Sequence, residues 1–253
     1  MDALTNGVTI KIGSNSYHSM RDFGLAIGNN NYIEAPEYET NYVSIPGRNG
    51  VLDLSEAIAG RVIYKTRKIS IEFGGMGDEM SWDGVISNLR NLFHGKVVQL
   101  IFDNDPTYYW TGRAEINDFD RFRNLGTFKF EIPEADPFKY SIDIVPGLAD
   151  LNVTYYTYNR KIDTPVTGMP VNPAFIISDL TNLGTSGRLE VSKWEGNSYS
   201  DGTKLLTKNI TADGTYTFSD LWINPGEWLT LRINYNGSSG SGTASIVYRQ
   251  VSL

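Results

Sequence analysis

Apolar side chains recur at every second position through most of this chain, and a single segment switches to a period of 3.6. Val8, Ile10 and Ile12 share one face of an extended run, and Ile69, Ile71 and Phe73 share another, with polar residues between them. Successive side chains of a strand point to opposite sides, so this alternation marks half-buried strands. It predicts strands over 8–12, 62–73 (one long strand or a bent pair), 97–102, 108–116 and 127–132, an antiparallel set joined by short turns such as Gly13-Ser14-Asn15. The switch comes at Trp82, Val85, Ile86, Leu89 and Leu92, which line one helical face, while Asp83, Ser87, Asn88 and Arg90 occupy the other. Ser81 is placed as the N-cap and Gly95 as the left-handed residue past the last turn. That apolar face makes it a core helix packed on a sheet.

After Pro173 a second all-β unit follows, with strands at 174–178, 188–194, 204–208, 215–218, 228–234 and 243–248. Short strands with turns every 8 to 12 residues point to a sandwich. Between the two units, 141–172 holds Pro146-Gly147, Thr164-Pro165 and Met169-Pro170 together with Tyr155, Tyr156 and Tyr158, which reads as a crossing strand plus loop. The run Asn236-Gly237-Ser238-Ser239-Gly240-Ser241-Gly242 lies between alternating flanks and reads as a mobile hairpin tip. The chain therefore divides at 1–140, 141–172 and 173–253.

Composition narrows function. The formal charge of −7 is shared by both halves, and neither has the basic excess that phosphate neutralisation requires. Cysteine is absent, which removes disulfides and thiolate metal sites. The start carries no basic region followed by an apolar core, and no run of about 18 apolar residues occurs, so neither export nor membrane spanning is indicated. The two histidines, His18 and His94, lie in an early loop and at a helix end, so a two-histidine zinc site at helical spacing cannot be built from them, and a Ser-His-Asp triad is not expected. Asp103-Asn104-Asp105-Pro106 opens like a calcium loop, yet Tyr108 and Ala114 stand where Gly and Glu are needed, so the aspartates read as turn residues. No catalytic residue, metal ligand or cofactor site is assigned, and an enzyme is not expected.

The densest turn chemistry is Ile45-Pro46-Gly47-Arg48-Asn49-Gly50, followed by Asp53-Leu54-Ser55. Pro fixes φ and Gly admits positive φ, so the segment reverses sharply after the strand-like 42–45. Further on come Tyr64-Lys65-Thr66-Arg67-Lys68, the stretch from Trp82 to His94-Gly95-Lys96, Phe102-Asp103-Asn104-Asp105-Pro106, Tyr108-Tyr109-Trp110-Thr111-Gly112-Arg113 and Ala135-Asp136-Pro137-Phe138-Lys139-Tyr140. In this order they resemble the distal tail protein of long-tailed bacteriophages, from about Ile45 to Tyr140, with a lactococcal siphophage version the nearest in pattern.

The resemblance implies a mainly β chain: a tail-tube-like β-sandwich with one helix and a long hairpin or belt, then a smaller galectin-like or carbohydrate-module-like sandwich. It implies a non-enzymatic hub of the virion tail tip or baseplate, assembled in the host cytoplasm. Six copies would form a ring between the major tail tube protein and the tail-tip or tail-associated lysin protein. The carboxyl domains would hold receptor-binding or upper baseplate proteins, and DNA would pass through without specific binding. Arg48, Asn49, Val51, Leu52, Asp53 and Leu54 are the implied ring contacts. Two rivals stand beside this reading. One is a glycan-binding module using Trp194, Trp222 or Trp228 as a stacking platform, with Tyr199 and Tyr235 nearby; the other is a carboxylate enzyme acting on cell-wall polymers.

Overall fold

The computed structural model describes residues 7–57, 60–77, 82–152, 158–161, 169–181, 187–194, 204–224, 227–235 and 241–253. The chain divides into one unit reaching to Tyr140 and a second spanning Ser141–Ser252. The mainly β, antiparallel class expected from the alternation is borne out.

In the first unit, β1 (Val8–Ile12) and β2 (Asn15–His18) form the early hairpin, turned by Gly13 at φ 56°. The chain continues through α1 (Ser19–Phe23), β3 (Ala26–Ile27), β4 (Tyr32–Ile33), β5 (Tyr42–Ser44), β6 (Val51–Asp53), β7 (Arg67–Met76) and α2 (Trp82–Phe93). Then come β8 (Val97–Phe102), β9 (Tyr108–Arg113), β10 (Glu115–Phe122) and β11 (Leu125–Ala135). One sheet has the order β9-β8-β1-β2, the other β10-β11-β7-β3, with β4 also paired to β7.

The core follows from register. Phe128, Phe130 and Ile132 of β11 stand directly opposite Phe73, Ile71 and Ile69 of β7, and all six are buried. Val8, Ile10, Val98, Leu100 and Trp110 of the other sheet close over them, and α2 adds Trp82, Ile86, Leu89 and Phe93. Each such side chain contributes about 1.5–3 kcal/mol by burial. The last buried residue of the helix is Phe93 rather than Leu92, which is only partly buried; Phe93 meets Tyr17, Phe23 and Phe130 edge to face. Gly95 takes the expected left-handed φ of 74°, whereas Ser81 lies outside the described residues.

Two local expectations change. The stretch 108–116 is two strands in different sheets, broken at buried Ala114, where the chain crosses from one sheet to the other beside the end of α2. A second, one-turn helix, α1, joins the single one expected. His18 caps it by accepting the Arg21 N–H at Nδ1, and Gly24 ends it at φ 66°.

The second unit holds β12 (Lys139–Asn152), β13 (Tyr158–Lys161), β14 (Ala174–Thr181), β15 (Gly187–Trp194), β16 (Lys204–Ile210), β17 (Gly214–Thr217), β18 (Trp228–Tyr235) and β19 (Ser241–Ser252). Two sheets, β17-β14-β19-β12 and β13-β18-β15-β16, enclose one core. Phe175, Ile177 and Ile246 come from the first sheet, Leu189, Val191, Leu229 and Leu231 from the second. Arg249 donates to the carbonyls of Ser141 and Ile142, tying β19 to β12. The expected hairpin at 236–242 is not formed. Its flanks, β18 and β19, belong to different sheets and are not paired with each other among the described residues; residues 236–240 themselves lie outside the described set.

A close approach pins α2 to the sheet. Gly75 and Gly126 are cross-strand partners, and the Trp82 indole lies on them. A Cβ at Gly126 would fall 2.5 Å from that ring, whereas a Cβ at Gly84, on the outer face of α2, meets nothing within 4 Å. Gly126→Ala is therefore expected to destabilise the protein by about 1–3 kcal/mol through overpacking. The same change at Gly84 should stabilise it by about 0.5–1 kcal/mol through helix propensity. Chemical denaturation of the two variants checks the opposite signs.

Candidate functional site

Between β4 and β7 the chain leaves the sheet and returns as a two-stranded arm. Its root is held by the Glu34 N–H on the Lys68 carbonyl (2.9 Å), the Lys65 N–H on the Glu37 carbonyl (2.8 Å) and the Glu39 N–H on the Ile63 carbonyl (2.8 Å). Tyr38 bridges Tyr64 between the last two. Further out, β5 and β6 pair with Ser44 opposite Val51. The tip is a type II turn: the Arg48 N–H bonds the Ile45 carbonyl at 3.1 Å, Pro46 holds the second position and Gly47 the third at φ 80°. Gly50 supplies a second positive φ that returns the chain to β6. The Pro-Gly chemistry read from sequence thus builds the reversal it suggested.

A hydrogen-bonded knot stiffens the waist of the arm. The Ser55 hydroxyl accepts from the Asn41 N–H (2.9 Å) and donates to Asp53 Oδ1 (2.5 Å), which also accepts the Ser55 N–H (2.9 Å). The Leu54 N–H closes on the Asn41 carbonyl at 2.8 Å. These Ser55 contacts hold the Asp53 carboxyl below its ordinary 3.8.

The arm is hydrogen-bonded along its length and yet left uncovered by the described residues. Every residue from 37 to 51 is exposed, including Tyr42 (55%), Val43 (39%), Ile45 (38%) and Val51 (56%). Apolar surface of this kind makes the arm a candidate surface for association. The six residues singled out from sequence all fall here: Arg48 and Asn49 at the tip, Val51, Leu52 and Asp53 on β6, and Leu54 at the waist, with Leu52 and Leu54 partly buried. Sequence reasoning missed the root. The paired strands begin near Glu34, not Tyr42, because the bonds at Glu34, Glu37 and Glu39 are made by backbone groups that composition does not announce.

The aromatic candidates lie in the second unit. Backbone register sets Trp194 opposite Trp228 at the ends of β15 and β18, but their side chains, like those of Tyr199 and Tyr235, lie outside the described set. Trp222 is partly buried, next to the Val171–Ile223 bridge. In the first unit the turn aspartates serve the fold. Asp103 accepts the Gly7 N–H (2.9 Å) beside His18 Nε2 (3.2 Å), and Asp105 pairs with Lys139 (2.7 Å). His94 accepts the Ile116 N–H at Nδ1 (3.0 Å), joining the end of α2 to β10.

A comparison with solved structures bears on this architecture. The structure of the SPP1 Dit protein, presented as a paradigm of the hub adsorption apparatus in phages infecting Gram-positive bacteria, superposes with a TM-score of 0.56. The match covers 97% of this chain and 99% of that one at 16% identity. The chain is Dit-like in fold. Matches to structures of the Gt and Gx strains of infectious bursal disease virus reach a TM-score of only 0.22 at 12% identity and carry no argument. No family model and no curated relative matches the sequence.

The knot gives a direct test of the arm's order. A carboxyl held low in the folded chain stabilises at pH values above its unfolded pKa, and the contribution is lost as pH falls through the folded one. Ser55→Ala should therefore move the Asp53 titration, followed by carboxyl-carbon NMR, upward toward 3.8. A titration unchanged by the substitution contradicts the knot.

Proposed function

We propose that this chain is the hub protein of a phage tail tip, of the kind a lactococcal siphophage carries, and that six copies close into a ring. The observation that carries the reading is the exposed apolar arm. An ordered ribbon with Tyr42, Val43, Ile45 and Val51 in water is explained by a second copy that covers it. Arg48, Asn49, Val51, Leu52, Asp53 and Leu54 make the contact. The end-to-end fold likeness to a hub protein agrees with this reading.

In this proposal the ring continues the tail tube on one side and seats the tail-tip protein on the other, with DNA passing through the centre. A formal charge of −7 suits a conduit, since an acidic wall repels phosphate and lets it slide. The second unit attaches a receptor-binding or baseplate protein. The chain acts as scaffold and not as catalyst.

Light scattering on the purified chain, with and without its tail-tip neighbour, tests the ring. Assembly should give about six times 28.2 kDa and six-fold particles by electron microscopy. A strict monomer or dimer in both conditions overturns the proposal. Binding of wall saccharides to the full chain, abolished by substituting Trp194, Trp222 or Trp228, would instead make the second unit an adhesin.

A further inference from the structure

The arm tip carries reactive chemistry of its own. Asn-Gly occurs three times, at Asn6-Gly7, Asn49-Gly50 and Asn236-Gly237, and every other asparagine precedes a residue with a side chain. Asparagine is thermolabile because the backbone nitrogen of the next residue can attack its side-chain amide, and a glycine there puts no Cβ in the way. Local structure separates the pairs. The Gly7 N–H is buried and donates to Asp103 Oδ2 at 2.9 Å, which withholds its nitrogen from reaction. Asn49 and Gly50 are exposed, neither has a hydrogen-bond partner among the described residues, and a Cβ at Gly50 would meet nothing within 4 Å. Asn236 and Gly237 lie outside the described residues.

We propose that Asn49 is a self-modifying site, which converts through a succinimide to aspartate and isoaspartate in chains that stay unassembled. Loss of the Gly50 N–H proton to solvent frees a lone pair that attacks Asn49 Cγ. The N–Cγ bond forms, the Cγ–Nδ2 bond breaks, and the leaving nitrogen takes up a solvent proton and departs as ammonia. Water then adds to either carbonyl of the succinimide and breaks its bond to the ring nitrogen, which regains its proton. Water is consumed, ammonia is released, and nothing is oxidised or reduced.

Either product alters the tip. From Tyr42 to Leu52 the arm bears a single charge, Arg48, and the new carboxylate stands beside it and cancels it. Isoaspartate also routes the main chain through Cβ, which lengthens the loop joining Ser44 to Val51 just before the positive φ of Gly50. What this does to the protein rests on the ring reading above: the modified tip fits a neighbour poorly, so a chain that waits too long outside a ring loses its place in one. The arm then acts as a timer, and assembly stops it by covering Asn49 and Gly50.

The full chain incubated dilute, then digested and mapped by mass spectrometry with isoaspartyl methyltransferase labelling, tests the site. Asn49 should convert about tenfold or more faster than Asn6, whose glycine nitrogen must first leave a carboxylate. Asn49→Gln should remove the product at that position and leave the Asn6 product unchanged. The same incubation of assembled rings should slow conversion at Asn49 alone, and the modified chain, separated by anion exchange, should need about tenfold more protein for half-assembly than fresh chain. Conversion at Asn49 no faster than at Asn6 overturns the site. Conversion that leaves assembly unchanged overturns the timer. A fresh chain that never assembles overturns the ring reading, and the comparison of Asn49 with Asn6 still decides the site.

Discussion

The pairing of β7 with β11 is the constraint on which the first unit depends. It sets Phe73, Ile71 and Ile69 directly against Phe128, Phe130 and Ile132, so one face of the ladder is a continuous apolar surface for the second sheet and α2 to cover. The same register brings Gly75 opposite Gly126, and the missing side chains make room for Trp82. Where the ladder is polar it is satisfied. Glu131, opposite Ser70, accepts from the Ser70 hydroxyl and Asn117 and pairs with Lys68 at 2.8 Å. Burial alone would push its carboxyl up, and these bonds outweigh burial and hold it low.

On its other edge β7 carries the root of the arm. Among the described residues that edge pairs with the two-residue strands β3 and β4, and the arm leaves from the end of β4. A short, interrupted edge keeps the unit from adding strands indiscriminately. The knot at Asn41, Asp53 and Ser55 and the type II turn order the arm within its own chain, so the association proposed above would have less ordering entropy to offset.

Much of this was legible in the sequence wherever a local rule had a single reading. Alternation located β1, β11 and most of β7, which begins at Arg67 and not at Val62; the 3.6 period located α2; Pro46-Gly47 marked the sharp reversal. Other features needed tertiary information. Five residues from Ser19 to Phe23 are too few to show a helical period, so α1 is visible only through its caps. The crossing at Ala114 looks like an uninterrupted strand, because alternation persists although the sheet changes. The same holds for β18 and β19, whose clean alternation suggested a hairpin. In the arm, Tyr42, Val43 and Ile45 read as strand residues, but a sequence does not say whether the surface that covers them lies in the same chain.

Removing the arm tests the central claim most directly. The Asn41 carbonyl and the Leu54 N–H already meet at 2.8 Å, so replacing residues 42–53 by an Asn-Gly turn closes the waist without touching the core. The account predicts a shortened chain with an unchanged thermal midpoint and the mass of one copy at concentrations where the full chain forms rings. Rings of undiminished stability from the shortened chain would contradict it.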